Sequence, residues 1–189
     1  MRCKVKIGYQ GIQYSNSEYA TKKFIKQMEF LNVELVPLVN SKSVVEALAN
    51  KEINYGVIAI KNSTVGDVIE SVQALQSINY NILSNLDLEI NHCLFKLNDD
   101  IKIKNIASHV QAIKQCQNTL KVMFPDAEII ELEDTALGAI YLRESKLSSD
   151  TGVICSKEAG TSKELTLVKE NMQDIKGNKT TFIIFKMEE

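Results

Sequence analysis

Tyr55-Gly-Val-Ile-Ala-Ile-Lys-Asn-Ser-Thr-Val-Gly66 is the stretch on which the reading of this chain turns. Within it, Val57-Ile58-Ala59-Ile60 is a continuous apolar run, the pattern of a strand covered on both faces of a parallel sheet. The run stops at Lys61-Asn62-Ser63-Thr64, and Val65-Gly66 then opens a helical spacing through Val68, Ile69, Val72 and Leu75. A strand that turns through Asn, Ser and Thr into a helix start brings an amide, hydroxyls and backbone N–H groups to one place. In an open α/β sheet, ligands bind there. The same residues also make an N-capped turn with no ligand, so the turn alone does not decide a function.

Working outward, Val5–Tyr9 reads as a first strand, and Ser17 as the cap of a helix with the stripe Ala20, Phe24, Met28 and Leu31. Val33–Val39 is a second strand, whose Pro37 suits an edge. Ser41 or Ser43 caps a short helix through Val44, Val45, Leu48 and Ala49. This alternation is the signature of βαβ units on a parallel sheet. Beyond the opening stretch, the extended run Asn81–Leu97 exceeds the usual strand length of about 5–6 residues. A crossing between lobes near Leu86–Ile90 accounts for it.

Ile103–Ala107 is the next strand, and the helix after it runs through Ile113, Cys116, Leu120 and Met123 to a stop at Pro125. Ala127–Leu132 is a strand, Asp134 or Thr135 caps a helix over Ala136–Ser145, and Thr151–Ser156 is a further strand. Leu165–Val168 is expected to return to the first lobe, where Thr180–Phe185 closes the chain as a strong strand. The expected fold is α/β and two-lobed, residues 1–86 with 165–189 forming one lobe and residues 87–164 the other. A cleft between the lobes and hinge closure follow from two crossings.

Composition excludes several classes. The 22 Lys and Arg are scattered among 24 Asp and Glu, which points away from nucleic acid. No apolar run approaches the roughly 20 residues needed to cross a bilayer, and the start of the chain lacks a signal-peptide core. Cys3, Cys93, Cys116 and Cys155 form no Cys-x-x-Cys pair and read as reduced thiols of a cytoplasmic protein. With only His92 and His109, a histidine-rich metal centre is not expected.

Ser108 fits an N-cap, with Gln111 and Gln115 one turn apart on one helix face. Two amides near a helix N-terminus favour a carboxylate ligand. The bland reading is that Ser108 only caps while both glutamines face water. His109 suits acid–base chemistry or a structural first-turn role, His92 reads as a packed core histidine, and Cys116 as a small hydrophobe. Gly-x-Gly-x-x-Gly and Gly-x-x-x-x-Gly-Lys-Ser/Thr are both absent, so nucleotide binding has no support.

Taken together and in order, the polar loops resemble the prephenate dehydratase family. Tyr9-Gln10-Gly11 and Ser15-Asn16-Ser17-Glu18-Tyr19-Ala20 are similar to its Gly-Pro-x-Gly-Thr-Phe-Ser-Glu-x-Ala. Ala59-Ile60-Lys61-Asn62-Ser63-Thr64-Val65-Gly66 resembles Pro-Ile-Glu-Asn-Ser-x-x-Gly, and Leu88–Leu94 its crossover strand. Ser108-His-Val-Gln-Ala-Ile-Lys-Gln-Cys116 follows Ser-His-Pro-Gln-Ala-Leu-x-Gln-Cys. Thr135-Ala136 echoes a further match, and Asn178-Lys-Thr-Thr-Phe182 is similar to Asn-x-Thr-Arg-Phe.

The resemblance implies two lobes like a type II periplasmic binding protein, and a decarboxylating dehydration of prephenate to phenylpyruvate. Carried over by position, Thr180 is the proton donor at the departing hydroxyl. Ser15, Asn62, Ser63, Ser108, Gln111, Gln115, Thr135, Thr181 and Phe182 line the substrate site. Neither a metal nor an organic cofactor is implied, because aromatisation drives the step. A homodimer in the cytoplasm is the expected assembly, with prephenate or arogenate as the small-molecule substrate. The last match ends close to Glu189, so feedback through a phenylalanine-sensing ACT domain is not expected of this chain, nor is a fused chorismate mutase.

Where the family pattern has Arg, this chain has Thr181, and where it has Glu, Lys61; Ile12 and Tyr14 replace an early Pro and Gly. An Arg contact to a diacid is worth about 1.5–3 kcal/mol. Lys61 or Lys179 is expected to supply the missing cation. The alternatives are a prephenate decarboxylase of the same family, which retains the hydroxyl, and a non-catalytic protein of this fold that binds a small acid.

Overall fold

The computed structural model describes residues 4–188; Cys3 and the chain's last residue lie outside them. The described residues divide into two units, one running to Glu89 and resuming at Asn178, the other Ile90–Gly177.

In the first unit, β1 (Val5–Gln10), β2 (Val33–Leu38), β3 (Tyr55–Asn62), β5 (Tyr80–Glu89) and β11 (Lys179–Met187) form a sheet of order β2-β1-β3-β11-β5, with β4 (Gly66–Asp67) paired to β3. β1 runs parallel to β2 and β3, and β11 lies antiparallel between β3 and β5. The position of β11 explains its composition. Phe182, Ile183, Ile184 and Phe185 are all buried, and each such side chain removed from water stabilises by about 1.5–3 kcal/mol. Gly56 leaves room for this packing, since a Cβ there would meet the Phe185 ring at 2.7 Å. Pro37 lies on β2, the edge strand, where its missing N–H costs no ladder bond.

Helix α1 (Asn16–Gln27) buries Ala20 and Phe24, but Leu31 lies beyond its end and is exposed. Its cap is Ser15, not Ser17: the Ser15 hydroxyl accepts from the Glu18 N–H at 3.3 Å. Glu18 in turn accepts from the Tyr14 N–H and pairs with Lys22, so the helix start is tied on both sides. Asn40 rather than Ser41 or Ser43 caps α2 (Ser41–Ala49). The expected strand–turn–helix after Ile60 is also revised. The chain folds back as β4 before α3 (Ile69–Leu75) begins, so the Asn62–Thr64 turn closes a hairpin and not a helix N-terminus.

The second unit has the order β10-β6-β9-β7-β8, built from β6 (Cys93–Lys96), β7 (Asn105–His109), β8 (Glu128–Leu132), β9 (Thr151–Cys155) and β10 (Thr166–Lys169). β7 is parallel to β8 and β9, whereas β6 is antiparallel to β9 and β10 to β6. The pairing of β10 with β6 corrects the expected return at Leu165: residues 165–177 stay in the second unit, and the chain re-enters the first at Asn178.

The helix expected after Ser108 is broken at Cys116 into α4 (Val110–Gln115) and α5 (Gln117–Met123). Helices α6 (Thr135–Arg143) and α7 (Lys157–Ser162) complete the unit, and Leu94, Ile106, Cys116, Leu120, Ile154 and Met172 form much of its core. Cys93, Cys116 and Cys155 are free and buried, and burial pushes the Cys116 thiol up to about 12.

Candidate active site

In the first unit, the register sets the site. Thr180 of β11 stands opposite Asn62 of β3, and the Asn62 amide nitrogen donates to the Thr180 hydroxyl oxygen at 2.9 Å. The orientation of that amide is fixed from its other end. Asn62 Oδ1 accepts from the N–H groups of Thr64 and Val65 at 2.9 and 3.1 Å, an Asx turn. Only the NH2 group is left to face Thr180, so the Thr180 oxygen is an acceptor in this pair and its own hydrogen is available to a third group. Thr180 is buried, and no described bond takes up that hydrogen.

Ser63 serves differently. Its hydroxyl accepts from the Lys179 N–H at 2.8 Å and donates to Asn178 Oδ1 at 3.3 Å, while its own N–H reaches the Lys179 carbonyl at 2.8 Å. Ser63 therefore clamps the β3 turn to the start of β11 and sets the register that brings Asn62 to Thr180.

Thr181 faces the other way. Successive side chains of a strand alternate between faces, and the Thr181 hydroxyl donates to Asp87 of β5 at 2.7 Å. Lys61 stands opposite Thr181 and Asp67, and Lys179 opposite Glu89. Lys61, Lys179 and Thr181 thus share the face that Thr180 and Asn62 do not. The compensating cation expected of Lys61 or Lys179 is corrected on this ground: neither lies on the face of Thr180. A cavity of about 460 Å³, lined by Lys61, Asp67, Val72, Tyr80, Ile82 and Ile183 among others, belongs to the Thr181 face. Phe182 has the parity of Thr180 and is buried in the core.

In the second unit, Ser108 is fully buried and its hydroxyl donates to the Ile154 carbonyl at 2.6 Å, tying β7 to β9. It is not the helix cap. His109 is, accepting the Gln111 N–H on Nδ1 at 3.2 Å. Gln111 is exposed and Gln115 half-buried, one turn apart on α4. Thr135 opens α6 behind the true cap, Asp134, which accepts from the Ala136 N–H at 2.7 Å. Burial pushes the Asp134 carboxyl up, opposed by that N–H and by nearby His109.

The sequence reading missed the partner of Gln115. His92 is buried, as expected of a core histidine, yet its Nε2 lies 2.8 Å from Gln115 Oε1. Segment 172–174 holds both residues through backbone bonds, Met172 N–H to the His92 carbonyl and Asp174 N–H to the Gln115 carbonyl. No sequence spacing links positions 92, 115 and 173. Among the described residues no group of three or more His, Cys, Asp or Glu side chains could hold a metal ion.

Residues 7–189 match the family model described as prephenate dehydratase. A prephenate dehydratase of Methanocaldococcus jannaschii is 36% identical over 89% of this chain and 60% of that protein. An Arabidopsis thaliana protein named arogenate dehydratase/prephenate dehydratase 1 is 32% identical over 98% of this chain and 46% of its own length. The chain thus spans about half the length of the curated relatives it matches. A crystal structure of a prephenate dehydratase in complex with L-Phe, from Arthrobacter aurescens, superposes with a TM-score of 0.86 at 21% identity, over 98% of this chain and 60% of that one. A periplasmic substrate-binding protein from Coxiella burnetii aligns over 97% of this chain and 84% of its own, at a TM-score of 0.51 and 11% identity. The fold is the α/β fold of periplasmic-binding-protein-like proteins.

Proposed function

Because this chain belongs to the prephenate dehydratase family, we propose that it converts prephenate to phenylpyruvate, carbon dioxide and water on the way to L-phenylalanine. The bond between the ring and its carboxylate breaks, its electron pair enters the ring, and the opposite carbon–oxygen bond breaks to complete aromatisation. The departing hydroxyl needs a proton to leave as water, and in this reading Thr180 gives it and is reprotonated from solvent. The observation that carries the reading is the polarity of the Asn62–Thr180 bond, which leaves the threonine hydrogen to be given away.

Gln111, Gln115, Thr135 and Ser15 are the donors proposed for the two substrate carboxylates. Neutral donors suit this task, because a fixed cation on the departing carboxylate would stabilise the ground state more than the transition state. Ser63 and Ser108 contribute by fixing the elements that carry these groups.

The test is incubation of the purified protein with prephenate, with identification of products at neutral pH. Phenylpyruvate together with carbon dioxide is the expected outcome. Carbon dioxide with a non-aromatic, hydroxyl-bearing product would replace the reading with a decarboxylase. Thermal stabilisation by prephenate without carbon dioxide would replace it with a binding protein. A relative named for both arogenate and prephenate favours running arogenate in parallel, whose expected product is phenylalanine itself.

The reading carries with it a homodimer, checked by light scattering, and a cytoplasmic location, checked by fractionation of the source cells. The buried free thiols agree with a reducing compartment. No helix of the described residues is long and apolar enough to cross a membrane.

A further inference from the structure

We infer that the cavity on the Thr181 face is a binding site for a free α-amino acid with a large apolar side chain, held as a zwitterion between Lys61 and Asp67. The cavity has a volume of about 460 Å³, inside the range of about 300–1,000 Å³ usual for small-molecule sites. It lies wholly within the first unit, where α3 meets strands β3, β4, β5 and β11. Asn62 and Thr180 occupy the other face of the same sheet, so this site is separate from the one assigned to the dehydration.

The lining divides by chemistry. Most of it is aliphatic. Leu75 and Ile183 are buried, whereas Val72 is 37% and Ile82 50% exposed, apolar surface that an occupant would remove from water. Tyr80 adds a ring already fixed by its edge contact with Phe185, at 5.8 Å between centroids. A branched or aromatic hydrocarbon body suits such walls, and a polar one does not.

The charged residues of the lining are one of each sign, Lys61 and Asp67. They stand directly opposite each other on antiparallel β3 and β4, which sets their Cβ atoms about 4.5–5.5 Å apart on one face. Both are exposed, and among the described residues neither side chain enters an ion pair or hydrogen bond. Two unspent heads of opposite sign at that spacing can straddle one α-carbon, Lys61 receiving the carboxylate and Asp67 the ammonium group. Each head also rejects a simpler ligand. A carboxylic acid without the amine meets the Asp67 charge, and an amine without the carboxylate meets that of Lys61.

Titration calorimetry on the full chain tests the inference with L-leucine and its two truncated forms, 4-methylpentanoate and 3-methylbutylamine. L-Leucine should bind saturably, with both truncated forms and glycine at least about tenfold weaker. The decisive result is a reciprocal change of preference. Asp67→Asn should weaken L-leucine about tenfold and bring 4-methylpentanoate to within about threefold of it. Lys61→Met should do the same for 3-methylbutylamine. Ile82→Lys should weaken L-leucine about tenfold without changing the oligomeric state, read by light scattering. Thr180→Val should bind L-leucine as the unaltered protein does.

No saturable binding of L-leucine up to about 10 mM overturns the inference. So does binding that survives both Lys61→Met and Asp67→Asn, or that is lost in Thr180→Val, since the ligand would then lie elsewhere. A dimer that Ile82→Lys converts to monomer would show a second copy of the chain covering the cavity, and overturns it too. Protein inactive on prephenate and arogenate that still shows the reciprocal preference ends the dehydratase reading and leaves this inference standing. Active protein that ignores L-leucine ends the inference alone.

Discussion

Thr180 and Thr181 are the same side chain at adjacent positions of one strand, and the two faces of the sheet give them different work. Thr180 is buried, with its oxygen held by Asn62 and its hydrogen unspent. Thr181 spends its hydrogen on Asp87, in a row that runs Asp67, Lys61, Thr181, Asp87 across four strands. Strand parity, and not nearness to the motif, decides which residues can share a site. The same parity recasts the departures from the family pattern. Positions 61 and 181 are cross-strand partners, so the Glu and Arg of that pattern would face each other as an opposite-charge pair. This chain replaces both together, on the face away from Thr180.

The sharpest way to break the contrast is Thr180→Val, which keeps the shape and removes the hydroxyl. Loss of a positioned proton donor should lower kcat by about 10²-fold or more, measured by phenylpyruvate formation. A kcat within tenfold of the unaltered enzyme would take the proton donor elsewhere. Asn62→Asp comes next and is more discriminating. Aspartate keeps an acceptor for the Thr64 and Val65 N–H groups, but it presents a second acceptor to Thr180 and so claims the hydrogen meant for the substrate. We expect kcat to fall about 10- to 100-fold while the fold is retained, read by circular dichroism and turnover together. Unimpaired turnover in this variant would show that the polarity of the Asn62–Thr180 bond is irrelevant.

Much of the scaffold was legible because periodicity is a local signal. The apolar density of Thr180–Phe185 announced a strand tied into a sheet, and Pro37 announced an edge. What escaped depended on partners distant in the chain. The four-residue β10 carries no mark of which sheet it joins, and only its pairing with β6 assigns residues 165–177. The two-residue β4 is too short to show a period, so the hairpin at Asn62–Gly66 looked like a helix start.

The hairpin also decides Lys61: within a turn it would be free to point at the site, but as a strand residue paired to Thr181 it points away. The caps failed for another reason. Ser15 and Ser17, or Asn40, Ser41 and Ser43, are chemically equivalent candidates within a few residues, and backbone geometry chooses among them. His92 was read correctly as buried, but its partner Gln115 is 23 positions away and beyond the reach of any spacing rule.

The smallest effects belong to the Thr181 face, and they sharpen the contrast most cleanly because they should leave chemistry alone. Thr181→Val removes a hydrogen bond to an exposed carboxylate and should cost no more than about 1 kcal/mol in urea unfolding, with turnover within about twofold. Thr181→Arg places a second cation opposite Lys61, while Asp87 on the other side offsets part of the repulsion. Adding Lys61→Glu turns the repulsion into attraction, so the double variant should be more stable than Thr181→Arg alone by about 0.2–1 kcal/mol. Because this pair lies on the face opposite Asn62 and Thr180, kcat/KM should stay within about twofold throughout the cycle. A tenfold gain in kcat/KM on introducing the arginine would mean that a cation at position 181 reaches the substrate after all, and the division of labour between the two faces would fall.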